Sequence, residues 1–246
     1  MGSVIFDCDS TLSAIEGIEY ISRAHQSEVE RLTAAAMNGD VPLEAVYGKR
    51  LELVRPGRDV IQELGNAYID ALMEDAREVV DALRQERIQV RVLSGGLLPG
   101  VLALTRALNV EDEAVAAVPI HFDARGAYAG FDEASPLARS GGKLDVVSAW
   151  RRTLPGPIML VGDGITDAEA RPAVDVFVAF AGVVARKTVT DQADYVIRTA
   201  SLAPVLPLAL GRPPRGRQAR MTYEKGLALL QQRGSERFPE PESERV

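Results

Sequence analysis

The sequence predicts an α/β protein built on a parallel sheet, with a helical segment inserted after the first strand. Three observations predict it. Short apolar runs end in polar loops: Val4-Ile5-Phe6 leads into Asp7-Cys8-Asp9-Ser10-Thr11, residues 88–93 into Ser94-Gly95-Gly96, and residues 157–161 into Gly162-Asp163-Gly164-Ile165-Thr166-Asp167. Helical periodicities fill the intervals at 75–86, 98–108, 143–152 and 183–190. Residues 12 to about 74 carry no strand pattern and several amphipathic helical stretches. Strands alternating with helices imply a sheet covered on both faces, a Rossmann-like three-layer α/β/α core. In such open sheets the binding crevice lies at the carboxyl ends of the strands, where every polar cluster named above falls.

The first strand sends Asp7 and Asp9 to one side and Cys8 to the other, because side chains two apart on an extended chain point the same way. Two acids in a turn are ordinarily just solvated. Crowded together they repel, and a cation or a shared proton relieves the repulsion. After the second strand Ser94 offers a hydroxyl, and the Gly95 N–H is expected where the next helix begins, a natural seat for an anion. Ser94 equally reads as the cap of that helix. Gly141-Gly142-Lys143 opens the helix over Leu144 to Trp150 and adds a positive charge. After the later strand, Gly162 and Gly164 are expected to let the backbone turn tightly. Asp163 and Asp167, with Asp7, supply the hard oxygen ligands that magnesium prefers. A dinucleotide loop is excluded here, since Asp167 stands at the third glycine position and would repel a pyrophosphate.

An ion, a lysine and oriented N–H groups are what a phosphoryl group needs, because its transfer is catalysed chiefly by placement and charge neutralisation. A carboxylate attacks phosphorus without a general base, which gives Asp7 the chemistry of a nucleophile. Asp9 is then placed to protonate the leaving oxygen and to deprotonate the attacking water.

The ordered set DCDST, SGG, a lone Lys and GDGITD resembles the four motifs of the haloacid dehalogenase-like phosphatases, over roughly residues 3 to 200, and within them the phosphoserine phosphatase branch. The resemblance implies Asp7 as nucleophile, Asp9 as acid/base, and Thr11, Ser94, Gly95 and Lys143 around the phosphate. It implies a Mg2+ ion held by Asp7, the backbone carbonyl of Asp9, Asp163 and Asp167. It further implies a catalytic core of residues 1–11 and 75–210 and a helical cap of residues 12–74 over the site. On that cap, Glu16, Met37 and Arg50 match the positions that select the substrate, and Thr166 is a variant of the last motif that occurs in the family. Leu43 departs from the pattern, standing where an aromatic residue is common.

Read as residues alone, the two charged cap positions keep rivals. Leu43, Val46, Tyr47 and Arg50 share one helix face, so Arg50 sits at the end of an apolar stripe, suited to a substrate carboxylate. It is also able to snorkel into water. Glu16 pairs with a substrate ammonium, or closes a capping box with Ser13.

Composition bounds the rest. The 246 residues are 46% hydrophobic, enough to bury an α/β core and a small helical insertion. One cysteine excludes an internal disulfide and fits a reducing cytoplasm. No apolar run approaches the roughly 18 residues needed to span a bilayer. A net charge of −7 argues against nucleic acid as a main partner. Past residue 210 the resemblance stops. Residues 211–217 read as a basic linker, 221–232 as a short helix, and 238–246 as a disordered tail. Nothing in the pattern sets an oligomeric state.

The expected function is a magnesium-dependent, cytoplasmic phosphatase acting on a small phosphate monoester, with O-phosphoserine favoured. Another small phosphorylated metabolite, a phosphomutase and a non-catalytic phosphoacceptor module are the alternatives. A transport ATPase would need Thr in place of Asp9 and membrane spans. A serine hydrolase would need a partner histidine, and His25 and His121 lie outside every motif.

Overall fold

A computed structural model describes residues 1–232. Its elements run β1 (Ser3–Phe6), α1 (Gly17–Tyr20), α2 (Gln26–Met37), α3 (Leu43–Val54), α4 (Arg58–Asp70), α5 (Ala76–Gln85), β2 (Gln89–Leu97), α6 (Leu98–Ala107) and β3 (Val115–Val118). The short strands β4 (Ile120–Phe122) and β5 (Tyr128–Phe131) precede α7 (Gly142–Trp150), β6 (Ile158–Gly162), α8 (Ile165–Glu169), β7 (Val176–Phe180), α9 (Lys187–Thr190), β8 (Tyr195–Ile197), α10 (Val205–Leu210) and α11 (Arg217–Gln232).

Six strands form one parallel sheet in the order β3-β2-β1-β6-β7-β8, flanked by helices. All four residues of β1 and all five of β6 are buried, the unbroken apolar signature of strands covered on both faces. In register, Ile5 lies between Arg91 of β2 and Leu160 of β6. The chain builds outward from β1 through β2 to β3, then returns to β6 and builds the other way. The order therefore reverses between β1 and β6. Loops leaving two such strands part to opposite sides and leave a crevice between them. Asp7 follows β1 and Asp163 follows β6, so both open into that crevice.

The helices show why their stretches read as amphipathic. In α5, Ala76, Val79, Val80 and Leu83 recur at one-face spacing and are all buried. In α4, Ile61, Leu64 and Tyr68 do the same, and Leu64 and Tyr68 meet α6 at Gly100. Helices α1 to α4 leave the sheet and return to it through paired strands of backbone. Ser13 bridges Leu72, the Ala14 N–H donates to Ala71 O at 2.8 Å, and the Met73 N–H donates to Leu12 O at 2.9 Å.

Several boundaries differ from the sequence reading. Strand β2 continues past the expected 88–93 through Ser94-Gly95-Gly96 to Leu97, while α6 starts at Leu98 as its periodicity predicted. The helix expected over 183–190 is confined to Lys187–Thr190, and Val183 and Val184 lie exposed ahead of it. The terminal helix α11 begins at Arg217, earlier than the expected 221. It buries Ala219, Tyr223 and Leu230, and Lys225 donates to Glu74 at 2.7 Å and Asp75 at 2.6 Å. The expected tail over 238–246 lies outside the described residues. Among the described residues no helix is long and apolar enough to cross a membrane.

Candidate active site

The turn after β1 carries the first two acids. Asp7 is buried, its Oδ1 accepting the Cys8 N–H at 2.7 Å while Oδ2 lies 2.8 Å from Lys143 Nζ. Cys8 points away into the core and is fully buried, as the alternation required. Asp9 turns toward the inserted helices. Its Oδ1 accepts the Gly17 N–H at 2.6 Å and the Tyr68 hydroxyl at 2.7 Å, and its Oδ2 accepts the Ser94 hydroxyl at 3.1 Å.

The turn after β6 carries the second pair. Asp167, fully buried on α8, accepts Lys143 Nζ at 2.7 Å and the Gly164 N–H at 3.1 Å. Gly162 is required by space rather than by an unusual turn: a Cβ there would stand 2.2 Å from the Asp167 carboxylate carbon. Gly164 likewise has ordinary extended dihedrals, which corrects the expectation that both glycines serve a tight turn. Asp163 accepts the Thr11 hydroxyl at 3.4 Å and pairs with the guanidinium of Arg186. Asp7, Asp163 and Asp167 each bring a carboxylate oxygen within 4.8 Å of the other two.

The charges in this cluster are set by burial. Burial, then the Asp167 charge, pushes the Asp7 carboxyl well above its ordinary range despite Lys143. Burial pushes Asp163 up to about 7, with Arg186 pulling the other way. Lys143 is the counter-case, since burial disfavours its ammonium but Asp167 and Asp7 outweigh that and hold its pKa high.

Across the pocket, Glu16, Met37, Arg50, Gly95 and Thr166 line the same space as Asp7, Asp9, Lys143 and Asp163. Both rival readings of the charged positions fall. Ser13 sits in the paired backbone at the base of the insertion, and Glu16 accepts the Ser10 hydroxyl at 2.7 Å instead of closing a capping box. Burial, with the Asp9 and Asp163 charges, raises the Glu16 carboxyl to about 8. Arg50 does not snorkel. It is buried, donates to the Thr33 hydroxyl at 3.0 Å, lies 5.3 Å over the Tyr47 ring, and keeps a buried Nε–H without a partner among the described residues.

Two expectations at the second motif are corrected. Because the helix starts three residues later, Gly95 is not at its N-terminus, and Leu97 stands at the cap position. Ser94 accepts the Gly96 N–H at 2.9 Å, a local turn rather than a helix cap.

The sequence reading missed Arg186, Tyr68 and Arg139, which lines the pocket, and read Tyr47 only as part of an apolar helix face, whereas it lines the pocket and donates its hydroxyl to Gly95 O at 2.8 Å. Arg186 carried a usable signal: it lies in a loop after a strand carboxyl end, where this architecture builds its crevice. It reaches both sides of the site, contacting Asp163 and standing 3.8 Å from Glu16. Tyr68 carried none, since an aromatic on an apolar helix face reads as core.

A sheet that reverses its order beside a buried lysine and three buried carboxylates suits a phosphoric monoester hydrolase. The chain belongs to the haloacid dehalogenase-like hydrolase family, whose model matches residues 1–175. It is 37% identical over 198 residues to the phosphoserine phosphatase of Bos taurus, covering 79% of this chain and 88% of that one. The chloroplastic phosphoserine phosphatase of Arabidopsis thaliana is 34% identical over 200 residues, covering 79% and 68%. Among solved structures, a phosphoserine phosphohydrolase-like protein from Francisella tularensis superposes with a TM-score of 0.77 at 27% identity, covering 85% of this chain and all of that one.

Proposed function

We propose that this protein is a magnesium-dependent phosphatase that hydrolyses a small phosphate monoester, O-phosphoserine before others, through an aspartyl-phosphate on Asp7. The observation that carries the reading is Asp7 itself. It is a buried carboxylate at the carboxyl end of the central strand, with Lys143 on one oxygen and a backbone N–H on the other. An oxygen of Asp7 attacks phosphorus, and the bond from phosphorus to the ester oxygen breaks. Asp9 gives its proton to that oxygen. Asp9 then takes a proton from water as the water oxygen attacks phosphorus, and Asp7 is released with inorganic phosphate. Lys143, with the Ser94 hydroxyl and the Gly95 backbone, offsets charge on the phosphoryl oxygens. Thr11 serves the same region less directly, since its hydroxyl faces Asp163.

The acid cluster fits a divalent cation. Three buried carboxylates, Asp7, Asp163 and Asp167, share two cations, Lys143 and Arg186, which leaves the cluster able to take a further positive charge. Carboxylate oxygens are the donors magnesium takes. Asp7, Asp163 and Asp167, with the Asp9 carbonyl, would hold it, and it would supply charge neutralisation at the phosphoryl oxygens.

Residues 12–74 act as the cap of this site and 1–11 with 75–210 as its core. Arg50 supports an amino-acid substrate, because it lines the pocket with a guanidinium suited to a carboxylate. Glu16 supplies a carboxyl for an ammonium, which on binding would favour its ionised form, with Met37 and Thr166 shaping the wall between. One observation favours a second reading, the same chemistry on another small monoester: Leu43 leaves an aliphatic wall on the pocket. Phosphate release from phosphoserine, sugar, alcohol and aryl phosphates, with and without magnesium, tests both. Magnesium-dependent preference for phosphoserine is expected. Equal turnover of the other esters would discard the amino-acid specificity, and no release from any would discard the phosphatase.

A further inference from the structure

Asp9 does not stand free in the pocket. Its Oδ1 is shared by two donors, the Gly17 N–H at 2.6 Å and the Tyr68 hydroxyl at 2.7 Å, while among the described residues Oδ2 meets only the Ser94 hydroxyl at 3.1 Å. Tyr68 is fully buried and comes from α4, 59 residues away, so this contact is a product of the tertiary fold.

Two glycines make room for it. A Cβ on Gly17 would stand 1.9 Å from the Tyr68 hydroxyl oxygen. A Cβ on Gly96 would stand 2.8 Å from Asp9 Oδ2 and 3.2 Å from the same hydroxyl. Any side chain at either position would crowd the pair. The contact is also anchored from behind, where the Ser13 hydroxyl donates to the Tyr68 carbonyl at 3.1 Å. A tyrosine that merely filled the space beside α6 would need none of this.

We infer that Tyr68 is a positioning residue for Asp9: its hydroxyl, with the Gly17 N–H, keeps Oδ1 an acceptor, so that Oδ2 carries the proton exchanged with the leaving group and the water. The inference rests on the acid/base reading of Asp9 and deepens it. The choice of donor is chemically apt. A cation at Oδ1 would hold the carboxylate ionised and oppose its reprotonation, whereas a neutral hydroxyl orients it without adding charge.

The test is Tyr68→Phe, which removes one oxygen and keeps the ring. Turnover is measured on phosphoserine, whose alkoxide leaves poorly and needs the proton, and on an aryl phosphate, whose phenolate leaves without it. The expected result is a fall of about tenfold in kcat on phosphoserine with KM changed less than about twofold. The burst of phenolate from the aryl ester should be nearly unchanged. Equal losses on both esters, or kcat on phosphoserine within about twofold of the parent, would overturn the inference. Gly17→Ala gives the same answer if Tyr68→Phe does not fold, because the added methyl must displace the hydroxyl from Asp9; it should show the same ester-selective loss, and equal losses would count against the inference. Asp9→Asn run in parallel separates the two claims. If it turns over like the parent, the acid/base reading itself is wrong. If it is crippled while Tyr68→Phe is not, only the role of Tyr68 is lost.

Discussion

Lys143 Nζ stands 2.8 Å from Asp7 Oδ2, both side chains more than nine-tenths buried, so the proposed nucleophile is held by a cation that has no water to spare. The same ammonium spans to Asp167 at 2.7 Å, which ties the turns after β1 and β6 together across the switch point of the sheet. One residue thus links the fold's geometry to the chemistry at its crevice.

Lys143→Met should remove both functions at once. Loss of a preorganised charge at the phosphoryl oxygens costs about two to three orders of magnitude in kcat. Leaving Asp7 and Asp167 without their buried partner lowers stability by about 3–5 kcal/mol, less whatever protonation of Asp7 relieves. Urea unfolding of the metal-free variant and steady-state kinetics measure the two effects separately.

Arg50→Ala should separate recognition from chemistry. A charged hydrogen-bonding partner is worth about 1.5–3 kcal/mol, so KM for phosphoserine should rise roughly ten- to a hundredfold. KM for an ester without a carboxylate should change little. Equal losses for both esters would assign Arg50 to the structure of the inserted helices, where it already meets Thr33 and Tyr47.

Metal-free stability should fall as pH rises. Asp163 at about 7 and Glu16 at about 8 both lie above their ordinary values of 3.8 and 4.5. The folded chain therefore binds more protons than the unfolded chain through that window, and its stability is lost progressively from about pH 4.5 to 8. Magnesium needs the ionised carboxylates, so its stabilising effect should grow in the same direction. Thermal melts at about pH 5 and about pH 8.5, with and without magnesium, check both signs.

Gly226→Ala should destabilise without touching catalysis. Alanine gains about 1 kcal/mol of helix propensity in α11. Its Cβ, however, would stand 2.3 Å from the Ala203 carbonyl oxygen, backbone that cannot swing away. Overpacking of this kind costs about 1–3 kcal/mol or more, so a lower Tm with unchanged kcat is expected. That outcome would show α11, beyond the segment matched by the family model, to be part of the folded unit.

The sequence was most legible where chemistry constrains residue type at a strand end. Asp7, Asp9, Lys143, Asp163 and Asp167 could be placed because each follows an apolar run or opens a helix, and all five meet at one site. Local backbone detail was less legible. The Ser94-Gly95-Gly96 segment reads equally as a loop or a strand end, and only pairing of β2 with β3 at Leu97 and Val118 keeps it extended. The short strands β4 and β5 escaped notice because three or four residues carry too little periodicity to count. Tyr68 was invisible for a different reason. Its meaning lies in a partner 59 residues away, Asp9, and helix periodicity says which face is buried but not what it meets.

The central claim is the covalent intermediate on Asp7. The most direct measurement is rapid acid quench during turnover of isotopically labelled phosphoserine in the presence of magnesium, followed by mapping of any labelled peptide. The account predicts label on the peptide containing Asp7, lost on treatment with hydroxylamine and absent from Asp7→Asn, which should not turn over. Turnover without label on Asp7, or turnover retained by Asp7→Asn, would contradict it.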